Sequence, residues 1–205
     1  MKNCKKIHGI GINDADYVIS KYKTVGYSNG RQTQTLMWRC PFYIAWSSML
    51  KRCYSLKFHQ SYPTYKGCIV CEEWKLFSNF KSWMEKQDWE GNQLDKDLLV
   101  KGNKLYSPDT CVFVSTTVNN FILDAAAIRG EYLIGVHWHK RDKKFIAQGR
   151  NPFLNKKVDI GRFDTEQEAH KAWLDFKVEI AHKLASIQTN PLVASALTKL
   201  FPRRG

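Results

Sequence analysis

The sequence predicts an α+β chain. A helical N-terminal unit leads into a strand–loop–strand–helix segment, and a three-stranded antiparallel sheet packed on one helix follows. Three observations carry this expectation. Tyr43, Trp46, Leu50 and Cys53 recur three and four residues apart, the period of one helix face. From Ile134 the apolar period changes to two, as in half-buried strands. Thr165-Glu166-Gln167-Glu168 then has the capping-box pattern that starts a helix. The 205 residues are 43% hydrophobic and 13% aromatic, enough to build cores in one medium or two small domains.

Taken in order, residues 1–37 form a Gly-, Asn- and Lys-rich stretch. Gly9, Gly11, Gly26 and Gly30 lack a phosphate-loop spacing. The stretch reads either as an extended basic arm along DNA or as a strand pair capping the next unit. Residues 38–128 open with the helix from Pro41. A second helix is expected from about Glu72 to Lys86, with Trp74, Phe77, Phe80, Trp83 and Met84 as its core stripe. Cys68 and Cys71 form a CxxC without the second pair that a zinc ribbon needs, so two small buried thiols beside Trp74 are expected and zinc is not. Gln93 to Phe121 supplies the strand–loop–strand–helix segment. It begins with the LDKD run, turns at GNK, continues as YSPDTCVFVS and closes with Asn119 and Asn120. Asp95 is a hard oxygen ligand, and an Asn amide oxygen is another.

Residues 129–186 carry the sheet and its helix. Val136 and Trp138 alternate with His137 and His139; Phe145, Ala147 and Gly149 alternate with Lys144, Ile146, Gln148 and Arg150; Val158 and Ile160 alternate with Lys157 and Asp159. The helix stripe of Ala169, Ala172, Trp173, Phe176, Ile180 and Leu184 is expected to cover the first face. The second is left with His137, His139, Lys144, Gln148, Arg150, Lys157 and Asp159, a hydrogen-bonding surface of a kind that fits a major groove. Residues 187–205 form a tail with a short helix from Leu192 to Leu200.

The formal net charge is +13, and it is clustered. Met1 to Lys66 holds eleven Lys or Arg against Asp14 and Asp16, and Ile134 to Arg162 holds eight against Asp142 and Asp159. Such regions favour phosphate backbones, because each neutralised phosphate releases counterions. No apolar run approaches the ~20 residues of a membrane span, and the N-terminus lacks a signal-length apolar core. A cytoplasmic protein with reduced cysteines is expected.

The Gln93–Phe121 stretch resembles the HNH, or ββα-metal, nucleases of the kind found as free-standing endonucleases in bacteriophages. Asp95 matches that family's acidic metal ligand. Tyr106, Ser107, Pro108, Cys111 and Phe113 match its second strand, and Asn119 matches its helix asparagine. Lys96 stands where the general-base histidine belongs, with Asp97 as the other candidate base, and Thr110 replaces the middle asparagine. The preceding WSSMLKRCYS and PTYKGCIVCEEWKLFSNFKSWM are also similar to segments of such proteins, so the resemblance covers most of 38–121. It implies a homing-type DNA endonuclease in a bacterial host cell. One Mg²⁺ or Mn²⁺ would be held by Asp95 and Asn119 for phosphodiester hydrolysis.

Residues 134–184 resemble the plant ethylene-response-factor type DNA-binding domain, through Gly135-Val136, Phe145 to Ala147, Arg150, Pro152, Ile160-Gly161, Phe163 and EQEAHKAW. The family's DNA-contact positions fall at His137, His139, Gln148, Arg150, Lys157 and Asp159. Only Arg150 keeps the usual residue type, and Asp159 replaces a tryptophan. Lys144 and Arg162 join the implied contact set for double-stranded DNA. Two alternatives stand beside the endonuclease: a DNA-binding regulator that has lost catalysis, and a protein that engages a host or phage nucleoprotein complex.

Overall fold

The computed structural model describes residues 6–123 and 130–202. The end of the FILDAAAIRG stretch with its expected linker, Cys4 and Arg203-Arg204 lie outside the described residues. The chain is mixed α+β and divides into two compact units, residues 1–90 with 100–113, and residues 91–99 with 114–205.

In the first unit, β1 (Ser20–Ser28) and β2 (Arg31–Arg39) pair as an antiparallel hairpin. Asn29 and Gly30 form its turn at φ 51° and 73°, the left-handed pair that a tight hairpin turn requires. The strand-pair alternative therefore describes this region. The hairpin is almost wholly exposed, however, and caps nothing along most of its length. α1 (Pro41–Tyr54) starts on a proline suited to the first helical turn and buries Trp46, Met49, Leu50 and Cys53. α2 (Leu56–Ser61) follows, capped by the Ser55 hydroxyl, which accepts from the Phe58 amide. Next come β3 (Ile69–Val70) and α3 (Phe77–Met84).

The expected helix from 72 to 86 is broken. Glu73–Lys75 is a single 3₁₀ turn, and Leu76 is extended at ψ 130°. The cause lies far off in sequence. The Ile12 amide donates to the Lys75 carbonyl at 2.8 Å, and the Phe77 amide donates to the Ile12 carbonyl at 3.1 Å. These bonds take up backbone groups that a continuous helix would pair internally. Trp46 ties α1 to this break through its indole N–H, 2.7 Å from the Trp74 carbonyl.

β4 (Gln93–Asp95) belongs to the second unit. The chain returns to the first as β5 (Leu105–Tyr106), which pairs parallel to β3. The expected strand over YSPDTCVFVS is thus interrupted. The Ser107 carbonyl accepts from the Thr110 and Cys111 amides, and the Thr110 hydroxyl caps the Leu105 carbonyl at 2.7 Å. β6 (Val112–Val114) follows this turn. The described cysteines Cys40, Cys53, Cys68, Cys71 and Cys111 are free thiols.

In the second unit, α4 (Thr116–Ile122) is capped by the Ser115 hydroxyl, which accepts from the Val118 amide at 3.2 Å. β7 (Val136–His139), β8 (Lys144–Asn151) and β9 (Lys156–Phe163) form the antiparallel sheet in the order β7-β8-β9. α5 (Glu166–Ser186) begins on the capping box of Thr165 and Glu168. Its first half lays Ala169 and Trp173 on Ala147, with Val136, Phe145, Ile160 and Phe163 packed around them. Trp173 also accounts for Gly135, whose φ is +83°: a Cβ there would lie 2.1 Å from the indole ring. Past the sheet, α5 buries Ile180, Ala181 and Leu184, and α6 (Pro191–Leu200) packs against it through Val193, Ala196 and Leu197. The tail helix therefore forms as expected.

Candidate functional site

Strand register decides which side chains face out. His137 pairs with Ile146, Gln148 with Asp159, and Arg150 with Lys157, so these side chains share the face away from α5. The pairing slips after Ala147, which pairs with Gly161 while Gln148 pairs with Asp159, leaving Ile160 as an extra residue. This bulge reverses the phase of β9. Lys157 and Asp159 point outward before it, and Arg162, opposite Ile146, points outward after it. Simple alternation, with Ile160 as an ordinary inward residue, does not reveal this reversal. Ile146 is buried although it shares the outer face.

The outer face has two electrostatically distinct ends. At the β7–β8 turn, Asp142 gathers the cations. Arg162 and Arg141 donate to its carboxylate, and His139 Nδ1 lies 3.3 Å from Oδ2. The Arg141 hydrogen bond is the chief cause that holds the Asp142 carboxyl below its ordinary range, with His139 and Arg162 adding to it. Lys144 is paired with Asp164. At the other end, Arg150 donates only to neutral Asn155 Oδ1, at 2.5 Å, and to its carbonyl, and Lys157 makes no ion pair among the described residues. Gln148 donates to Asp159 at 2.8 Å between these ends. Positive charge is therefore open at Arg150 and Lys157 and locally neutralised at Arg162 and Lys144. Asp142, the single acid in the KRDKK turn, was visible in the sequence but not singled out.

The residues matched to a metal site lie on β4 and α4 of the same unit. Asn119 Nδ2 donates to Gln93 Oε1 at 2.6 Å, and Gln93 Nε2 donates to Thr116 Oγ1 at 3.2 Å, which seats α4 on this strand. Gln93 and Asp95 project from the same face of β4, because strand side chains alternate. Asp95 Oδ1 accepts from the Asp97 and Leu98 amides at 2.9 and 2.7 Å, and Oδ2 takes no hydrogen bond among the described residues. Burial, the largest influence, pushes the Asp95 carboxyl above its ordinary range against those amide bonds. One carboxylate oxygen and one amide oxygen suit a hard divalent ion that keeps several waters. Among the described residues no group of three or more His, Cys, Asp and Glu could hold a metal.

Lys96 is buried, and its ammonium donates to both Asp97 oxygens at 2.7 Å. The structure thus pairs the two residues proposed as bases with each other. An ammonium held in an ion pair has no lone pair with which to accept a proton.

Lys177 of α5 is a feature the sequence did not single out. Its ammonium donates to the Phe121 carbonyl at 2.5 Å and sits 3.4 Å from the Phe121 ring centre. Burial pulls its pKa down to about 8. A cleft of about 370 Å³ adjoins it, lined by residues that include Asn120, Phe121, Gln148, Arg150 and Trp173. Among the described residues no helix is long and apolar enough to cross a membrane.

Comparison with known protein families, curated proteins and solved structures finds no match.

Proposed function

We propose that the chain acts on double-stranded DNA as an endonuclease of the HNH type. In this reading the sheet β7-β8-β9 binds the duplex, and Asp95 and Asn119 hold one Mg²⁺ or Mn²⁺. The observation that carries it is the composition of the second unit. Asp95, Asn119 and the exposed donors of the sheet face belong to one compact body. When bound, the ion would stabilise the charge that develops on the scissile phosphate. The Asp97 and Leu98 amides orient the Asp95 carboxylate, and Gln93 fixes the Asn119 amide with its oxygen directed away from that bond. The test is incubation of supercoiled plasmid with protein and Mg²⁺ or Mn²⁺, with and without EDTA. Nicking that EDTA stops, and that Asp95→Ala loses while mobility shifts persist, is expected. Cleavage by Asp95→Ala at the wild-type rate would overturn the assignment.

A second reading has an observation of its own. The Lys96–Asp97 ion pair leaves Lys96 with no lone pair to accept a proton and makes Asp97 a weaker base. This favours a DNA-binding protein that does not cut, and mobility shifts without nicking at any metal concentration would support it.

A further inference from the structure

We propose that the β1–β2 hairpin is a second nucleic-acid contact, a twisted ribbon that lays its Lys21, Lys23 and Arg31 face against duplex DNA. This inference rests on the reading of the chain as a DNA-acting protein and assigns a role to the unit that holds neither the sheet nor Asp95.

The hairpin raises a problem of stability and exposure. Two strands alone are marginal in water, because neither face is covered. Yet these strands run nine residues each, and nearly every residue is exposed, with Tyr27 at 73% and Trp38 at 43%. A long, flat ribbon of this kind would also be open to edge pairing. Two irregularities counter that. The register slips between Lys21 and Tyr22, leaving Met37 as an extra residue, and again between Thr24 and Gly26, leaving Val25 extra. Bulges increase right-handed twist.

The register sorts the side chains. Lys21 pairs with Trp38, Lys23 with Thr35, and Arg31 with Ser28, and all lie on one face. The contacts agree: the Lys21 ammonium lies 5.7 Å from the Trp38 ring centre. On the opposite face, Arg39 donates to the Ser20 and Tyr22 hydroxyls, both at 3.1 Å. Residues 20–39 contain four cations and no acidic side chain. None of Lys21, Lys23 and Arg31 has an ion pair among the described residues.

Charge complementarity therefore selects a polyanion, and shape selects a duplex. A major groove about 12 Å wide admits a two-stranded ribbon. Thr33 and Thr35, on the same face as the three cations, offer hydrogen bonds to phosphates or base edges, and Trp38 offers an apolar surface. The strand ends are held. The Cys40 amide donates to the Ile19 carbonyl at 2.9 Å, and α1 begins directly after it. The ribbon thus has an anchored base and an exposed body.

The experiment is fluorescence anisotropy of a labelled 30-base-pair duplex over a salt series. It compares the full chain, the triple variant Lys21→Gln, Lys23→Gln, Arg31→Gln, and Arg150→Ala. Loss of three phosphate contacts lowers the slope of log affinity against log salt by about 2.7, at ~0.9 per contact. The triple variant is expected to show that fall with an unchanged melting temperature, and Arg150→Ala to show a fall of about 1 or less. A triple variant that keeps the full slope, while Arg150→Ala loses affinity, overturns the ribbon contact and leaves the DNA reading standing. Failure of the unmodified chain to bind duplex at low salt overturns both.

Discussion

Gly135→Ala tests how the sheet is closed on its helix. Gly135 has φ +83°, and a Cβ built on it would lie 2.1 Å from Trp173 Cδ1 and Cγ and 2.4 Å from Nε1. Two costs are therefore expected. A left-handed conformation costs an L-residue about 1–2 kcal/mol. The overlap is with a rigid indole seated on Ala147 and Ala169, so it cannot be relieved by one rotamer change, and overpacking of this kind costs about 1–3 kcal/mol. The substitution should lower stability by about 2–5 kcal/mol. Gly91→Ala is the internal control. Its φ is +71°, yet nothing lies within 4 Å of its would-be Cβ, so only the first cost applies. The assay is urea unfolding of both variants followed by tryptophan fluorescence. Equal losses in the two would refute the argument that Trp173 fills the space at Gly135.

Other outcomes follow from the same geometry. Trp173→Ala should cost about 3–5 kcal/mol, read as a fall in the denaturation midpoint. Asp97→Asn weakens a charged hydrogen-bonded pair with buried Lys96, and the half-exposed carboxylate puts the expected loss at the low end of about 1–3 kcal/mol. The Lys177 pKa falls from an ordinary 10.5 to about 8, so between those values the unfolded chain holds the proton that the folded chain has released. The contribution of this group to stability therefore rises with pH across that window, and Lys177→Met should flatten the rise in thermal melts from pH 8 to 10.5. Arg150→Ala should relax the sequence preference recovered by selection from random duplexes, at about 1–3 kcal/mol of discrimination, whereas Arg162→Ala should change it less, because Asp142 already engages that guanidinium.

Elements specified by nearby residues were legible in the sequence. The three-and-four spacing through Trp46 and Leu50, the capping box at Thr165 and the period-two run from Val136 each depend on neighbours within a few positions, and each appears in the fold. The hairpin turn had a local signal too, Asn29-Gly30, whose significance appears once the flanking strands are seen to pair. The break at Leu76 had none, because it is imposed by Ile12, more than sixty residues earlier. The candidate site divides in the same way. Residue type and the resemblance to HNH nucleases singled out Asp95 and Asn119, but the commitment of Lys96 to Asp97 depends on where one flexible side chain comes to rest. The neutralisation of Arg162 by Asp142 likewise needs the β7–β8 turn to fold before the two meet.

The extra residue at Ile160 makes β9 a strand written in two reading frames. Up to Asp159 the odd-numbered positions face outward; by Arg162 the even-numbered ones do. Deleting Ile160 would bring the strand into a single frame without turning any flanking side chain over, and the cost would be the loss of Ile160 from its packing on the core. Forcing a retained Ile160 into regular pairing with Ala147 would act differently: with the first half anchored by Gln148 and Arg150, Phe163 would turn out of the core and Arg162 would turn in beneath α5. Any transfer of outward positions onto this sheet, or from it, must therefore count outward from Ile160 in both directions and not along the strand from either end.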